Sequence, residues 1–323
     1  MIIEPRLIMH MLAIGKYGSI SKAAAALRMS QPALSNGVAL LERRLGVKVL
    51  ERSRHGSSLT ECGMAVVRCA DAVDSHIKGL LEEIKVRAEG GAGTLKIGVS
   101  PVVSYSFVPQ AIADLTDQMP SLTMSIKEAA DDQLTELLTS GKIDLSICPI
   151  GVAPLRTGIL EEGLFTDPFS VVVRKGHRLS RATAVSVRDI IDEQWILPHF
   201  GSAKRLQVEA IFLTCGFPVP TNSINTNSTA MVETLLLHTN RVAIVSDWVI
   251  RRLDPKKFSR IAVHHIGAPR TIGFKRHRNV QLSPPANAFI NILRKQASAI
   301  GLPFAAAKGE RQYPSKDKRK QRD

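Results

Sequence analysis

Residues 20–39 read Ile-Ser-Lys-Ala-Ala-Ala-Ala-Leu-Arg-Met-Ser-Gln-Pro-Ala-Leu-Ser-Asn-Gly-Val-Ala and predict two short helices joined by a tight turn. The first helix has an apolar face at helical spacing, formed by Ile20, Ala23, Ala24 and Leu27. The predicted caps are Ser19 or Ser21 for the first helix and Ser30 for the second. Arg28 and Met29 form the turn between them. Pro32 lies in the first turn of the second helix, where a missing N–H group costs nothing.

The second helix is predicted to present small polar side chains near its N-terminus. Its inward positions follow i, i+4, i+7 and i+11 spacing and are Leu34, Val38, Leu41 and Leu45. Its outward positions are Gln31, Ala33, Ser35 and Asn36. Two short helices in this arrangement form a helix-turn-helix that fits the major groove of DNA. The stretch is therefore predicted to read DNA.

A wider run around this stretch carries four motifs at fixed spacing. They are Gly18-Ser19-Ile20-Ser21-Lys22-Ala23-Ala24, Ser30-Gln31-Pro32-Ala33-Leu34-Ser35, Leu41-Glu42-Arg43-Arg44-Leu45-Gly46 and Leu59-Thr60-Glu61-Cys62-Gly63. As a set, they resemble the LysR-type bacterial transcriptional regulators. The resemblance implies an N-terminal all-α winged helix-turn-helix, a long linker helix that dimerises, and a C-terminal α/β effector-binding domain. That last domain would have two Rossmann-like lobes, similar to those of periplasmic binding proteins.

Composition agrees with a DNA partner. The chain has 323 residues, enough for two or three domains, and a net charge of +14, which favours a polyanionic partner. An early acid, Glu4, and the lack of a long apolar segment argue against a signal peptide and a membrane span, so we expect a cytoplasmic protein with no membrane contact.

The four cysteines show neither paired C-x-x-C spacing nor a histidine at ligand spacing. They are Cys62, Cys69, Cys148 and Cys215. Neither a zinc site nor a disulfide framework is indicated, and we expect buried thiols. No metal, cofactor or catalytic set is predicted.

The predicted segments follow chain order. They are the winged helix-turn-helix domain 1–61, the linker helix and hinge 62–92, the effector-binding domain 93–305 and a disordered basic tail 306–323. Within the effector domain, alternating strands and helices predict parallel sheets covered by helices. Lobe I would comprise about 93–167 and 267–305, and lobe II about 168–266, with a cleft between them.

The segment after the helix-turn-helix is predicted to form a wing and then a long helix. Val47 to Arg52 is an extended run, followed by a polar loop, and Thr60 caps the helix. Apolar residues along it alternate steps of four and three, as in a heptad repeat: Val66, Ala70, Val73, Ile77, Leu80 and Ile84. This seam faces a partner helix in a homodimer or homotetramer, or packs against its own chain. A dimer would bind a roughly palindromic operator.

The candidate DNA-binding residues combine the helix-turn-helix and the wing. They are Ile20, Ser21, Lys22, Arg28, Ser30, Gln31, Pro32, Ala33, Ser35, Asn36, Arg43, Arg52 and Arg54. Gln31 and Asn36 can pair with adenine, and Ala33 can contact a thymine methyl group. The basic side chains suit phosphates. Gly37 departs from the family, which often has glutamine there, and predicts thinner base readout or a closer approach to the groove.

The candidate effector-binding residues lie at strand ends, where ligands bind in such sheets. They are Ser100, Val102, His199, Gly201, Ser202, Asn227, Ser228 and Thr229. Ser100 matches a position where the LysR family commonly holds its effector, whereas Ser202 and Ser228 are equally well explained as helix caps. Asp131 is predicted to cap another helix. The second lobe loosely resembles regulators of galactose-binding-protein and aromatic-catabolism genes, and the expected effector is a small polar or anionic molecule.

Two other classes of function compete with an effector-responsive transcription factor, for which RNA polymerase is a further candidate partner. The two-lobed region alone also fits a solute-binding protein of a transporter, although the helix-turn-helix argues against it. Ser19-Ile20-Ser21-Lys22 fits the S-x-x-K pattern of penicillin-recognising enzymes, but no companion motif follows.

Overall fold

The computed structural model describes residues 3–53, 56–88, 91–152, 158–264, 269–278 and 280–299. The predicted basic tail and Arg54 lie outside these residues.

The N-terminal part is a three-helix unit with a β-hairpin and a long helix. Its elements are α1 Pro5–Tyr17, α2 Ile20–Ala26, α3 Gln31–Leu45, β1 Leu50–Ser53, β2 Gly56–Leu59 and α4 Glu61–Ala88. The Ser19 side chain accepts a hydrogen bond from the Lys22 N–H group, and Ser30 does the same for Ala33, so the predicted caps begin α2 and α3. Leu34, together with the three-helix core around it, is fully buried.

The predicted positions of Leu27 and of the extended run are wrong. Leu27 is largely exposed, because α2 ends at Ala26 and Leu27 lies in the turn that follows. The extended run begins at Leu50 rather than Val47. The Glu42 carboxylate accepts the N–H groups of Val49 and Leu50 at 3.0 and 3.3 Å, which ties the start of this segment to α3.

Gly37 has a packing role between α1 and α3. A Cβ atom at this position would lie 2.6 Å from Nδ1 of His10, a buried side chain of α1. The absent side chain therefore lets α1 and α3 pack closely, a reason for Gly37 that the sequence analysis did not give; its effect on the groove contact stays a prediction.

The predicted heptad seam along the linker helix α4 is buried near its start and exposed at its end. Thr60 caps the helix by accepting the Gly63 N–H group at 2.9 Å. Val66 packs against the chain's own N-terminal core and Ala70 is buried, whereas the last three seam residues remain exposed. Cys62 and Cys69 on α4 are also exposed, contrary to prediction; Cys148 is buried and Cys215 is intermediate.

Lobe I is a five-stranded sheet with helices on its faces. Its elements before the first crossing are β3 Thr94–Val99, a short 3-10 helix Val103–Tyr105, α5 Val108–Gln118, β4 Thr123–Glu128, α6 Asp131–Thr139, β5 Leu145–Ile150 and β6 Ile159–Asp167. Lobe II is a six-stranded sheet. Its elements are β7 Phe169–Arg174, β8 Ala184–Val185, α7 Val187–Ile190, β9 Trp195–Leu197, α8 Ala203–Thr214, β10 Ser223–Asn225, α9 Thr229–His238, β11 Val242–Ser246, α10 Asp247–Ile250 and β12 Phe258–Val263.

The chain then returns to lobe I as predicted. The returning elements are β13 Arg270–His277 and α11 Pro284–Ala299. The sheet orders are β4-β3-β5-β13-β6 in lobe I and β10-β9-β11-β7-β12-β8 in lobe II. Both sheets are mixed rather than parallel, because β13 runs antiparallel to β5 and β6, and β7 runs antiparallel to β11 and β12.

One buried cluster joins the two crossings between the lobes. Asp167 ends β6 and Arg270 begins β13, and the Asp167 carboxylate accepts the Arg270 Nε–H group at 2.8 Å. Ser246, at the end of β11 in lobe II, donates to the other oxygen of Asp167 at 2.7 Å. Both crossings are therefore held at one point.

Among the described residues, no helix combines the length and apolar character that crossing a bilayer would require.

Substitution of two helical glycines tests the close packing of α1 on α3. We expect Gly37→Ala to destabilise the full-length protein by about 1–3 kcal/mol, since the new methyl group collides with the buried His10 ring. Gly79→Ala in α4 is the matched control, because no atom lies within 4 Å of its Cβ position and alanine favours helix by about 1 kcal/mol. Calorimetric unfolding measures both effects. Equal stabilisation by the two substitutions would contradict the packing role of Gly37.

Candidate DNA-binding surface and effector cavity

The predicted base-reading side chains share one exposed face of α3. Gln31, Asn36 and Arg43 are exposed and Ser35 is partly exposed, while the opposite face is buried. Asn36 and Arg43 lie seven residues apart and therefore on one stripe of the helix. The Ser21 hydroxyl donates to Gln31 Oε1 at 3.0 Å, which holds the carboxamide beside the first turn of α2.

The other residues predicted to bind DNA surround this face. Lys22 and Arg28 are exposed, and the side chains of these two and of Arg43 have no ion-pair partner among the described residues. Arg28 adopts a left-handed conformation with φ 55°, which makes the tight turn between α2 and α3. Ile20 instead packs partly against the domain core.

The remaining DNA-binding predictions divide into surface and undescribed positions. Pro32 and Ala33 are exposed in the first turn of α3. The backbone of Arg52 lies in β1, which places this residue in the hairpin. Arg54 is outside the described residues.

A cavity of about 720 Å³ lies between the lobes. Six of the eight predicted effector residues line it: Ser100, Val102, Gly201, Ser202, Asn227 and Thr229. His199 does not line it; its backbone N–H donates to Asn227 Oδ1 at 2.9 Å. Ser228 does not line it either and caps α9 by accepting the Met231 N–H group. The predicted roles of His199 and Ser228 in direct effector contact are therefore not supported.

The serines that do line the cavity differ in their hydrogen bonding. Ser202 caps α8, accepting from the Arg205 N–H group and donating to the His199 carbonyl at 2.8 Å, so its hydroxyl is already used. Ser100 is only 2% exposed, and its Oγ has no partner among the described residues. The Val103 amide donates to the Ser100 carbonyl at 2.9 Å, so this amide is already used.

Charged residues in the cavity were missing from the predicted site. The charged residues that line it are Glu128, Asp131, Asp132, Glu161, Lys204, Arg270 and Lys275. Asp131 does not cap α6: Ala130 occupies the cap position without a side-chain bond, and Asp131 begins the helix and faces the cavity. Lys275 pairs with Glu161 at 3.1 Å, and Arg270 pairs with Asp167.

Burial shifts the pKa values of the unpaired charges. Desolvation raises the pKa of Asp131 to about 6, opposed by the positive charges of Lys275 and Arg270. Desolvation lowers the pKa of Lys204 to about 8, and the Arg270 guanidinium lowers it further. Burial also raises the pKa of Cys148, beneath Lys275, to about 12, which keeps this thiol protonated and unreactive.

Sequence spacing contained a signal for two of these residues. Asp131 is the first residue of α6 and Lys204 the second of α8, and both helices follow strands whose ends point at the cleft. The first helical turn after such a strand borders the ligand site in open α/β sheets. Charged residues at these junctions are therefore candidates, although surface charge is the commoner reason for them.

The fold and the two sites define a DNA-binding protein with a separate two-lobed ligand-binding domain, which is the organisation of a ligand-responsive transcriptional regulator. Residues 5–64 match the bacterial regulatory helix-turn-helix protein family of lysR type, and residues 88–298 match the LysR substrate binding domain. The chain belongs to the LysR family of transcriptional regulators, which bind DNA and carry a substrate-binding effector domain. These regulators are not enzymes, in agreement with the predicted lack of catalysis.

Curated relatives and solved structures agree with this assignment. The chain is 28% identical to the regulator GbpR of Rhizobium radiobacter over 73% of this chain and 79% of the relative. It is 26% identical to YdcI of Escherichia coli over 88% of this chain and 92% of the relative. CbnR shares the fold with a TM-score of 0.62 at 20% identity, covering 91% of this chain and 99% of that one. A full-length OxyR variant of Pseudomonas aeruginosa shares the fold with a TM-score of 0.61 at 22% identity, covering 97% of this chain and 99% of that one.

The unpaired Asp131 carboxylate predicts a pH-dependent stability. Its folded-state pKa of about 6 lies above the ordinary 3.8, so the burial penalty is fully present above pH 6 and fades as the pH falls towards 3.8. We expect Asp131→Asn to stabilise the free protein by up to about 3 kcal/mol at pH 8 and by about half as much at pH 5.

Denaturant unfolding at the two pH values measures this difference. Asp117→Asn, which removes an exposed carboxylate of α5, is the control and should change stability little at either pH. Destabilisation by Asp131→Asn at pH 8 would show that the Asp131 carboxylate has a stabilising partner.

Proposed function

We propose that the chain works as a homo-oligomer that binds a roughly palindromic operator through α3 and changes its DNA binding when a small polar or anionic effector enters the interlobe cavity. The observation that carries the proposal is the exposed polar face of α3, flanked by unpaired basic side chains, within a chain that also encloses the cavity. Its site of action would be the cytoplasm, where a bacterial regulator meets promoter DNA.

The DNA interface would contain two kinds of contact: base contacts that read the sequence and phosphate contacts that position the protein. Gln31 and Asn36 present carboxamides that suit adenine, and their exposure on one face supports base contact. Lys22, Arg28 and Arg43 suit phosphates on either side, because no acid among the described residues neutralises them. A structure of CbnR contains its target DNA, which supports the same use of the shared fold here.

Removal of one positioning charge tests this division of roles. We expect Arg43→Met to weaken binding to specific and unrelated DNA alike and to reduce the salt slope of the binding constant by about 1. Asn36→Ala should weaken specific binding by about 1–3 kcal/mol and leave the slope unchanged. Lys175→Met, which removes an exposed lysine of lobe II, is the charge-matched control.

Fluorescence anisotropy across a salt series measures these three variants. If Arg43→Met and Lys175→Met gave the same slope as the unsubstituted protein, the proposed phosphate contact of Arg43 would be wrong.

The oligomer would form through the C-terminal half of α4. Ile77, Leu80, Leu81 and Ile84 are 50–62% exposed and lie on one face of the helix. A contiguous exposed apolar stripe of this kind indicates a protein partner, and heptad spacing suits a second copy of the helix. Val66, near the start of the seam, already packs on the chain's own domain and Ala70 is buried, so the proposed interface is shorter than the sequence pattern indicated.

One charged substitution in this stripe tests the interface. We expect Ile77→Lys to weaken self-association at least about tenfold. A symmetric dimer contains two copies of the new lysine, one from each chain, and burying an unpaired charge is costly. Met64→Lys is the control, since Met64 is equally apolar and 44% exposed on α4 but lies off the stripe. Sedimentation velocity measures the association. A protein that is monomeric at micromolar concentration without any substitution would contradict the proposed oligomer.

A further inference from the structure

Two unpaired charges face the interlobe cavity from opposite lobes. Asp131, at the start of α6, belongs to lobe I, and Lys204, in the first turn of α8, belongs to lobe II. Neither side chain makes a hydrogen bond or an ion pair with any other described residue. Both are partly buried, so water satisfies them incompletely.

The other buried charges of the cavity already have partners. Arg270 is paired with Asp167 beneath the cavity, and Lys275 with Glu161 in lobe I. Arg270 acts electrostatically on both unpaired groups, attracting Asp131 and repelling Lys204. Since these pairs are complete within the protein, a ligand meets Asp131 and Lys204 as the partly buried charges without a partner among the described residues, beside the exposed Asp132.

A third group in the cavity also lacks a partner. Ser100 lies at the end of β3, lines the cavity and is 2% exposed, and its Oγ is unsatisfied among the described residues. A buried hydroxyl without a partner costs free energy, so this group also favours a polar ligand.

These groups together define what a ligand must carry. A plain carboxylate would satisfy Lys204 but would leave Asp131 unpaired on a wall that also holds Glu161 and the exposed Asp132. A plain amine would satisfy Asp131 and leave Lys204 unpaired. A molecule with one group of each sign satisfies both walls at once, and in doing so it bridges the lobes.

We propose that the effector is a small zwitterion of the amino-acid class, whose carboxylate binds Lys204, whose ammonium group binds Asp131, and which hydrogen-bonds Ser100. The inference rests on the proposed function, since it takes the interlobe cavity as the effector site. The volume of about 720 Å³ leaves room for a side chain, and Val102, Phe200, Leu206 and Val249 give that space apolar walls.

The test uses the full-length protein and matched compounds. Each standard amino acid is compared with the acid of the same carbon skeleton that lacks the amine and with the amine that lacks the carboxylate. Thermal shift identifies binders at millimolar concentration, and calorimetric titration gives their affinity. We expect at least one amino acid to bind at least about tenfold more tightly than both of its one-charge analogues.

Two substitutions test the assigned groups. Asp131→Asn and Lys204→Met should each weaken the binding of that amino acid at least about thirtyfold, because each leaves one ligand charge buried without its partner. Both remove an unpaired charge, so neither should lower the melting temperature of the free protein, and loss of binding will not reflect unfolding. Asp117→Asn and Lys256→Met, which change exposed residues of lobes I and II, should retain wild-type affinity.

Three outcomes would overturn the inference: no amino acid binds, the matched acid binds as tightly as the amino acid, or both site variants keep wild-type affinity. A parallel mobility-shift assay of the wild-type protein on its own upstream DNA separates this failure from failure of the proposed function. DNA binding without a zwitterion response would refute only the effector class, whereas no specific DNA binding would refute the proposed operator function.

Discussion

The two lobes depend on one buried ion pair. Asp167 is fully buried and Arg270 nearly so, and they lie 103 residues apart at the two points where the chain crosses between the sheets. Ser246 ties lobe II to the same carboxylate. Loss of one member of such a pair leaves an uncompensated buried charge, which typically costs about 3–5 kcal/mol. The pair therefore holds the two crossings together, and its Arg270 side lines the cavity between the lobes.

The same pair determines the electrostatics of the cavity. Arg270 is neutralised by Asp167 and is thus held as a structural group, but its charge still reaches Asp131 and Lys204. Those two groups are left without partners, at a cost in stability to the free protein. Binding sites commonly carry such a cost, and a ligand that satisfies the unpaired groups returns it as binding free energy. Stability and ligand response are in this way properties of the same few side chains.

Local sequence rules predicted much of the fold and part of the site. Helix caps such as Ser19 and Ser30 depend only on residues up to three positions away, and they were predicted correctly. The packing role of Gly37 was missed because its partner, His10, lies on another helix. The antiparallel course of β13 follows from the chain's return between β5 and β6, which no local pattern records. Asp131 and Lys204 lie at strand-to-helix junctions, which the sequence indicates, but their place on opposite walls of one cavity depends on how the two lobes face each other.

A double-mutant cycle on Asp167 and Arg270 tests most directly whether one ion pair holds both crossings. The measured quantity is the free energy of unfolding of Asp167→Leu, Arg270→Met and the double variant. We expect each single substitution to cost about 3–5 kcal/mol and the double variant to lose far less than the sum, because no buried charge is then left unpaired. Additive losses, or single substitutions that cost less than about 1 kcal/mol, would show that the lobes are held together by other contacts.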